Sequence, residues 1–235
     1  MNFFELRSSQ MKTKLIFSGF IFTIIMVSRY WALPDPSSGK ESSQAVVFEV
    51  STGLGSAVET KTGTPWKPQL GMGLGAHYYH AASQRIWLHA GFSEQFVAAY
   101  RMVEHPYPYV MEMKVSTTVN STRFRAGCDY ALHNYKTKND FLYTGVALYA
   151  DVVHDSEAYK RLRYVDKYDT EEVGLDDSFA PVVPGLQVCL GTQFSGVRLE
   201  LRYWEDMKTF RIPTVPIGRQ RRTFFGLNGS YVLNL

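Results

Sequence analysis

Few residues in this sequence have the type and spacing to do chemistry. The stretch "HYYH" offers two imidazoles, His77 and His80, three residues apart. On a strand, successive side chains point to opposite faces, so this pair makes a poor chelate and reads as one inward histidine and one turn histidine. Asp151, His154 and Asp155 lie close together, and His133 stands elsewhere. Such groups can hydrolyse lipid or peptide, but nothing in the sequence sets a nucleophile beside a base with a third group behind it. Arg219, Arg221 and Arg222 read as a solvated basic rim. Asn120 and Asn228 begin N-x-S/T sequons. Cys128 and Cys189 form no disulfide framework and are expected to be free. No pattern calls for a metal or an organic cofactor, so none is expected, and no catalytic residue is assigned.

The elements that position these groups alternate with a period of two, the mark of a β-strand with two unlike faces. In "QLGMGLGAHYYH", Leu70, Met72, Leu74 and Tyr78 oppose Gly71, Gly73, Gly75 and His77. Eight further segments repeat the pattern, beginning at Val46, Ile86, Tyr109, Arg123, Phe141, Gly185, Val197 and Thr223. Each runs about 9–13 residues, against about 5–6 for an ordinary strand and about 9–11 for one crossing a bilayer at a tilt. With 15 Tyr, 15 Phe and 18 Gly in 235 residues, the composition suits β-structure. A net charge of +3 gives no case for nucleic acid.

Alternation alone does not say which face is inside. A soluble barrel turns the apolar face in, and a membrane barrel turns it out. The polar face decides. It is crowded with small residues, and among them stand Glu49, Glu112, Asp129, Asp151 and Glu200 against Lys114, Arg123, Arg125, Arg198 and Arg202. The two sets balance, as a narrow lumen of paired charges requires. The reading is therefore all-β: one antiparallel up-and-down transmembrane barrel over residues 45–235. Eight to ten strands are expected, with a lean to ten, the tenth near Tyr159–Tyr168. Glu94 is the one charge in register with the apolar face; a place at the rim or a bulge near Ser93 would explain it.

Short connections ("AASQ", Ser195–Gly196) alternate with long charged ones, as in barrels with short inner turns and long outer loops. The segment from Asp155 to Pro181 is the longest and is expected to be an external loop, with Tyr159, Tyr164 and Tyr168 as contact groups. Lys12 and Lys14 precede an apolar run of about thirteen residues, the length of a signal-peptide core, so residues 1–32 read as a signal peptide and 33–44 as a flexible lead-in. Translation from Met1 and from Met11 both remain open.

With these features in view, the chain resembles the small bacterial outer-membrane barrels of the OmpA-like and OmpX-like kind. The closing "YVLNL" is similar to their terminal strand signature, with Leu235 where they usually carry Phe. The resemblance implies export to the outer membrane of a Gram-negative bacterium. It also implies insertion by the barrel assembly machinery, surroundings of outer-membrane lipid and lipopolysaccharide, and a monomer. Lipopolysaccharide would be the natural partner of the Arg219–Arg222 run. The role expected first is structural or interactive, through the external loops; a narrow pore and a lipid-modifying enzyme are the alternatives.

Overall fold

The structure, a computed structural model, describes residues 44–61, 63, 66–134, 140–164, 167–173, 181–210, 212 and 218–235. The signal peptide and nearly all of the lead-in fall outside them. The strands are β1 (Gln44–Glu59), β2 (Lys67–Ala81), β3 (Ile86–Tyr107), β4 (Val110–Asn134), β5 (Phe141–Arg163), β6 (Tyr168–Val173), β7 (Val182–Phe194), β8 (Val197–Asp206) and β9 (Gln220–Asn234). Every pairing is antiparallel. The order β4-β3-β2-β1-β9-β8-β7-β5 closes on itself through β4–β5, giving a ring of eight strands. A ring of eight is just wide enough for side chains to fill it. β6 stands outside the ring, paired with β5 alone among the described residues.

Eight lies within the expected eight to ten strands, and the lean to ten is corrected. The segments 109–119 and 123–133, read from the sequence as two strands, are one strand of 25 residues. Its ladder to β3 runs without a shift from Ile86↔Tyr130 to Glu104↔Glu112. The supposed tenth strand near Tyr159–Tyr168 is the upper end of β5 and the start of β6. The segment from Asp155 to Pro181 is thus largely a β-hairpin, and its strands lengthen the sheet rather than loop over it.

One strand looked like two because β4 changes surroundings along its length. From Met113 to Ala131 the odd-numbered residues point inward. From Ser121 downward these are polar or small (Arg123, Arg125, Gly127, Asp129), while the outward partners Phe124, Ala126, Tyr130 and Leu132 are apolar. Above Asn120 the order reverses. Met113 and Val115 point inward at 0% exposure, and Glu112, Lys114, Ser116 and Thr118 point outward. β5 makes the same crossing with a bulge. Asn120 pairs with Asp155 and Ser121 with Val153, so His154 is the extra residue. Beyond it the inward set shifts from odd to even numbers: Ala158, Lys160 and Leu162. A strand with lipid outside and charge inside has become a strand with water outside and an apolar core inside.

No bulge occurs near Ser93, since β3 pairs evenly from Gly91 to Phe96. Glu94 faces outward at the level of the reversal, which is the rim. The β7–β8 connection is tight. Ser195 (φ 48°) and Gly196 (φ 79°) both take the left-handed region, the geometry of a two-residue hairpin turn that follows the twist of its strands.

Candidate functional site

Two regions could carry function: the inside of the ring, and the sheet that rises above it. Inside, the side chains form layers. The floor, at the end with the short turns, is apolar and aromatic. Val47, Tyr79 and Val232 pack with Trp87, and Phe141 stacks on Trp87 at 6.1 Å. A void of about 10 Å³ at this level has room for roughly one water.

Above the floor sits a charge network centred on Glu49. Arg202 holds its carboxylate through two bonds of 3.2 and 2.9 Å, and Arg125 adds a third at 3.1 Å. His77 lies 3.1 Å away from the same carboxylate. Arg202 also donates to Glu200 at 2.6 Å, and Tyr143 donates to Glu200 at 2.7 Å. Arg198 donates to the Tyr143 oxygen at 3.0 Å and pairs with Asp129, which His89 approaches at 3.5 Å. Gly145 gives this network its room, because a Cβ there would collide with the Asp129 carboxylate and lie 2.8 Å from the Cys189 sulfur.

A second network lies higher. Arg123 grips Asp151 with two bonds of 2.7 and 2.9 Å, and Arg222 reaches the same carboxylate at 3.0 Å. Arg222 also pairs with Asp206, which accepts a bond of 2.8 Å from Tyr149. The Arg123 guanidinium lies between rings, 3.7 Å from the centre of Tyr149 and 4.0 Å from that of Trp204. The two networks join five arginines (123, 125, 198, 202, 222) with five carboxylates (49, 129, 151, 200, 206), all at most 4% exposed.

Eight of the ten residues assigned to the lumen from the sequence therefore line it. Glu112 and Lys114 do not; they lie on β4 above the reversal and face outward, because Met113 and Val115 take the interior there. Asp206 and Arg222 were missed. The sequence places Arg222 in a solvated rim, yet it is 3% exposed and bridges two lumen carboxylates. Its neighbour Arg221 is the rim residue, 2.6 Å from Glu205. The alternation of β9, in step with Phe224, Gly226 and Asn228, held the missing signal. His77 faces the lumen and His80 the outside. Both cysteines are free, Cys128 on the outward face of its strand and Cys189 on the inward face.

Above the networks a second apolar core fills the interior. Trp66, Val110, Met113, Val115, Phe210 and Ile212 belong to it, with Tyr164 packed at its edge. Trp66 is fixed by a 2.7 Å bond from its indole nitrogen to Gln220. Beside this core, to which β1 also contributes Ala57, β3 to β6 continue as a four-stranded sheet past the last β2–β3 pair, Lys67↔Tyr100. Tyr159 and Tyr168 lie on its outer face. Tyr159 donates to Glu157 at 3.1 Å, and Tyr168 has Arg161 4.5 Å from its ring centre.

One outer-wall cluster has the residue types of a hydrolase. The Thr122 hydroxyl lies between Glu94 and His154, which the β5 bulge brings to it. The hydroxyl has one proton for two neighbours. β4 is paired on both sides at this level, so its backbone N–H groups are committed to the ladders and supply no oxyanion donor. Glu94 and His154 thus satisfy one another through Thr122 at the rim.

The closed ring and the outward row of Phe124, Leu148, Leu199 and Leu227, each more than half exposed, decide the architecture. The fold is that of a small transmembrane β-barrel. No protein-family model and no curated protein matches the chain. Among solved structures it is similar to the attachment invasion locus protein Ail of Yersinia pestis, solved with the heparin analogue sucrose octasulfate. That likeness has 10% identity and a TM-score of 0.35, covering 80% of this chain and 99% of that one. It is similar also to Neisserial surface protein A, at 11% identity and a TM-score of 0.34 over 81% and 99%. A third is the translocator domain of the autotransporter NalP from Neisseria meningitidis, at 10% identity and a TM-score of 0.32 over 98% and 99%.

Proposed function

We propose that this barrel is an outer-membrane anchor that holds the β3–β6 sheet outside the cell as a rigid contact surface, and that it is not a pore. The observation that carries this reading is the continuation of the β3–β4–β5 ladders above the polarity reversal, beside an apolar core that they share with Ala57, Trp66, Phe210 and Ile212. A rigid scaffold is how proteins position contact surfaces. The sheet offers two open edges among the described residues: β6 on one side, and β3 beyond Tyr100 on the other. Such edges can accept a partner's extended segment. The filled lumen supports the second half of the reading, because among the described residues the two charge networks and the cores at either end occupy the inside of the ring.

The test uses the purified full-length barrel and cells that display it. In a planar bilayer no steady conductance is expected, and a stable single-channel conductance would favour the pore. With cysteine placed on β6 (Thr170→Cys), a membrane-impermeant maleimide is expected to label intact cells. Labelling only after the outer membrane is opened would place the sheet inside and overturn the reading.

A further inference from the structure

The tip of the β3–β4 hairpin is built at a cost that reversing the chain does not require. Pro108 and Tyr109 are its two turn residues, between the paired Tyr107 and Val110. Tyr109 has φ 70°. A proline followed by a left-handed residue is the pattern of a type II turn, whose second central position favours glycine. A bulky residue there is strained. At the Ser195–Gly196 turn the chain puts glycine in that position.

What the strain holds out is an aromatic ring. Tyr109 is 91% exposed, against at most 62% for the other large apolar residues described. Val110 beside it is buried in the upper core, which fixes the turn to the sheet. The ring is therefore presented rigidly, at low entropic cost on binding.

The surroundings of the ring point to what it meets. From His105 to Met111 there is no Asp, Glu, Lys or Arg. Pro106 and Pro108 carry no N–H, so this cap has fewer backbone donors to strip of water. Met111, two residues on from Tyr109, is exposed as well. The first charges behind the cap are the paired Glu104 and Glu112, the latter three residues from Tyr109 and so about 10 Å back along the strand. Arg163 lies 3.6 Å from Glu112, and Lys167 stands in the neighbouring β5–β6 turn, 5.5 Å from the Tyr164 ring centre. Glu104, Glu112, Arg163 and Lys167 thus form a fringe with two charges of each sign.

A charge-free cap of this depth, with a tyrosine at its end, has the profile of a group that enters a bilayer interface. A zwitterionic headgroup layer carries the same two signs as the fringe behind it. The barrel's own membrane is out of reach. Tyr109 lies eleven residues above Asn120 at the polarity reversal, so about 36 Å along the strand, or about 25 Å in height at a tilt of about 45°.

We propose that Tyr109 anchors the tip of the β3–β4 hairpin in the interface of a second, opposing bilayer with zwitterionic headgroups, with Met111 entering beside it and the mixed fringe resting among the headgroups. The proposal rests on the reading of the sheet as an external contact surface and names what its tip touches.

The experiment holds the full-length barrel in lipid nanodiscs, mixes it with protein-free phosphatidylcholine vesicles and floats the vesicles, with empty discs as background. The wild type is expected to float with the vesicles. Tyr109→Gly, which suits a left-handed turn, is expected to bind about tenfold more weakly, the effect of withdrawing one large side chain from an apolar contact. Tyr159→Ser, which removes an outward tyrosine lower on the sheet, is expected to bind as the wild type does. Tyr109→Trp keeps a ring at the tip, and vesicles of brominated phosphatidylcholine should quench its fluorescence beyond the quenching seen in the wild type. All four proteins should show the same difference in gel mobility between boiled and unboiled samples, which establishes that each is folded. Equal flotation of Tyr109→Gly and the wild type, or no added quenching in Tyr109→Trp, would overturn the anchor. Failure of the wild type to bind protein-free vesicles would overturn the proposal in favour of a shaped pocket on a partner protein. Binding that requires phosphatidylglycerol in the vesicles would overturn it in favour of attraction by charge. None of these outcomes bears on conductance or on labelling at Thr170, so this proposal and the contact-surface reading can fail separately.

Discussion

Replacing Glu49 with leucine is expected to destabilise the barrel by about 3–5 kcal/mol, the cost of breaking a buried ion pair by removing one partner. Glu49 is 2% exposed and receives Arg125, Arg202 and His77. Its loss strands Arg125, whose remaining bond is a 3.3 Å contact with the Gln187 amide oxygen, and leaves Arg202 with Glu200 alone. The nearby glycines leave space but no acceptor. Glu49→Gln keeps one acceptor oxygen and should fall between the two. Urea unfolding of the lipid-inserted protein reads the effect. A loss below about 1 kcal/mol for Glu49→Leu, the worth of an exposed pair, would mean that the network is hydrated and the lumen open.

The outward face is expected to respond in the opposite sense at two heights. Leu148 is 62% exposed, on β5 between Val146 and Ala150. If it meets lipid near the midplane, Leu148→Arg costs about 2–4 kcal/mol. Thr118 is also outward, on β4 above the reversal. Thr118→Arg there meets water and should change stability by no more than about 0.5 kcal/mol, as surface substitutions do. Refolding into lipid vesicles against denaturant compares the two. A harmless arginine at Leu148 would mean that the apolar face is not in lipid.

Much of this could be read from the sequence because both media impose a period of two. The rows Leu70–Met72–Leu74 and Gly71–Gly73–Gly75 are found where the alternation puts them, and eight lumen charges follow from the same parity. The errors have one physical origin. Large residues alternating with charged ones look alike whether lipid lies outside and charge inside, or water outside and a core inside. Residues 109–119 carry the second arrangement, so Glu112 and Lys114 were placed in the lumen and one strand was counted as two. The parity switch between Val115 and Phe124 was visible, but it reads equally well as a turn. Only the unbroken β3 ladder shows one strand changing surroundings. The bulge at His154 hid the continuation of β5, since it breaks the alternation where the surroundings change. Arg222 was lost to its neighbours, because three arginines in four positions look like a surface patch until the period of β9 is carried up to them.

The central claim is that the reversal on β4 marks the border of the membrane. It is tested most directly by placing a nitroxide on successive outward residues of that strand, from Tyr130 up to Glu112, in a background where Cys128 and Cys189 are replaced by alanine. Collision with oxygen, which concentrates in lipid, is then compared with collision with a water-soluble nickel chelate, with the barrel in a bilayer. Oxygen should dominate at Tyr130, Ala126 and Phe124, the two should cross near Thr122 and Asn120, and nickel should dominate at Thr118, Ser116 and Lys114. Access of nickel at Ala126 equal to that at Ser116, with no crossing along the strand, would contradict the account.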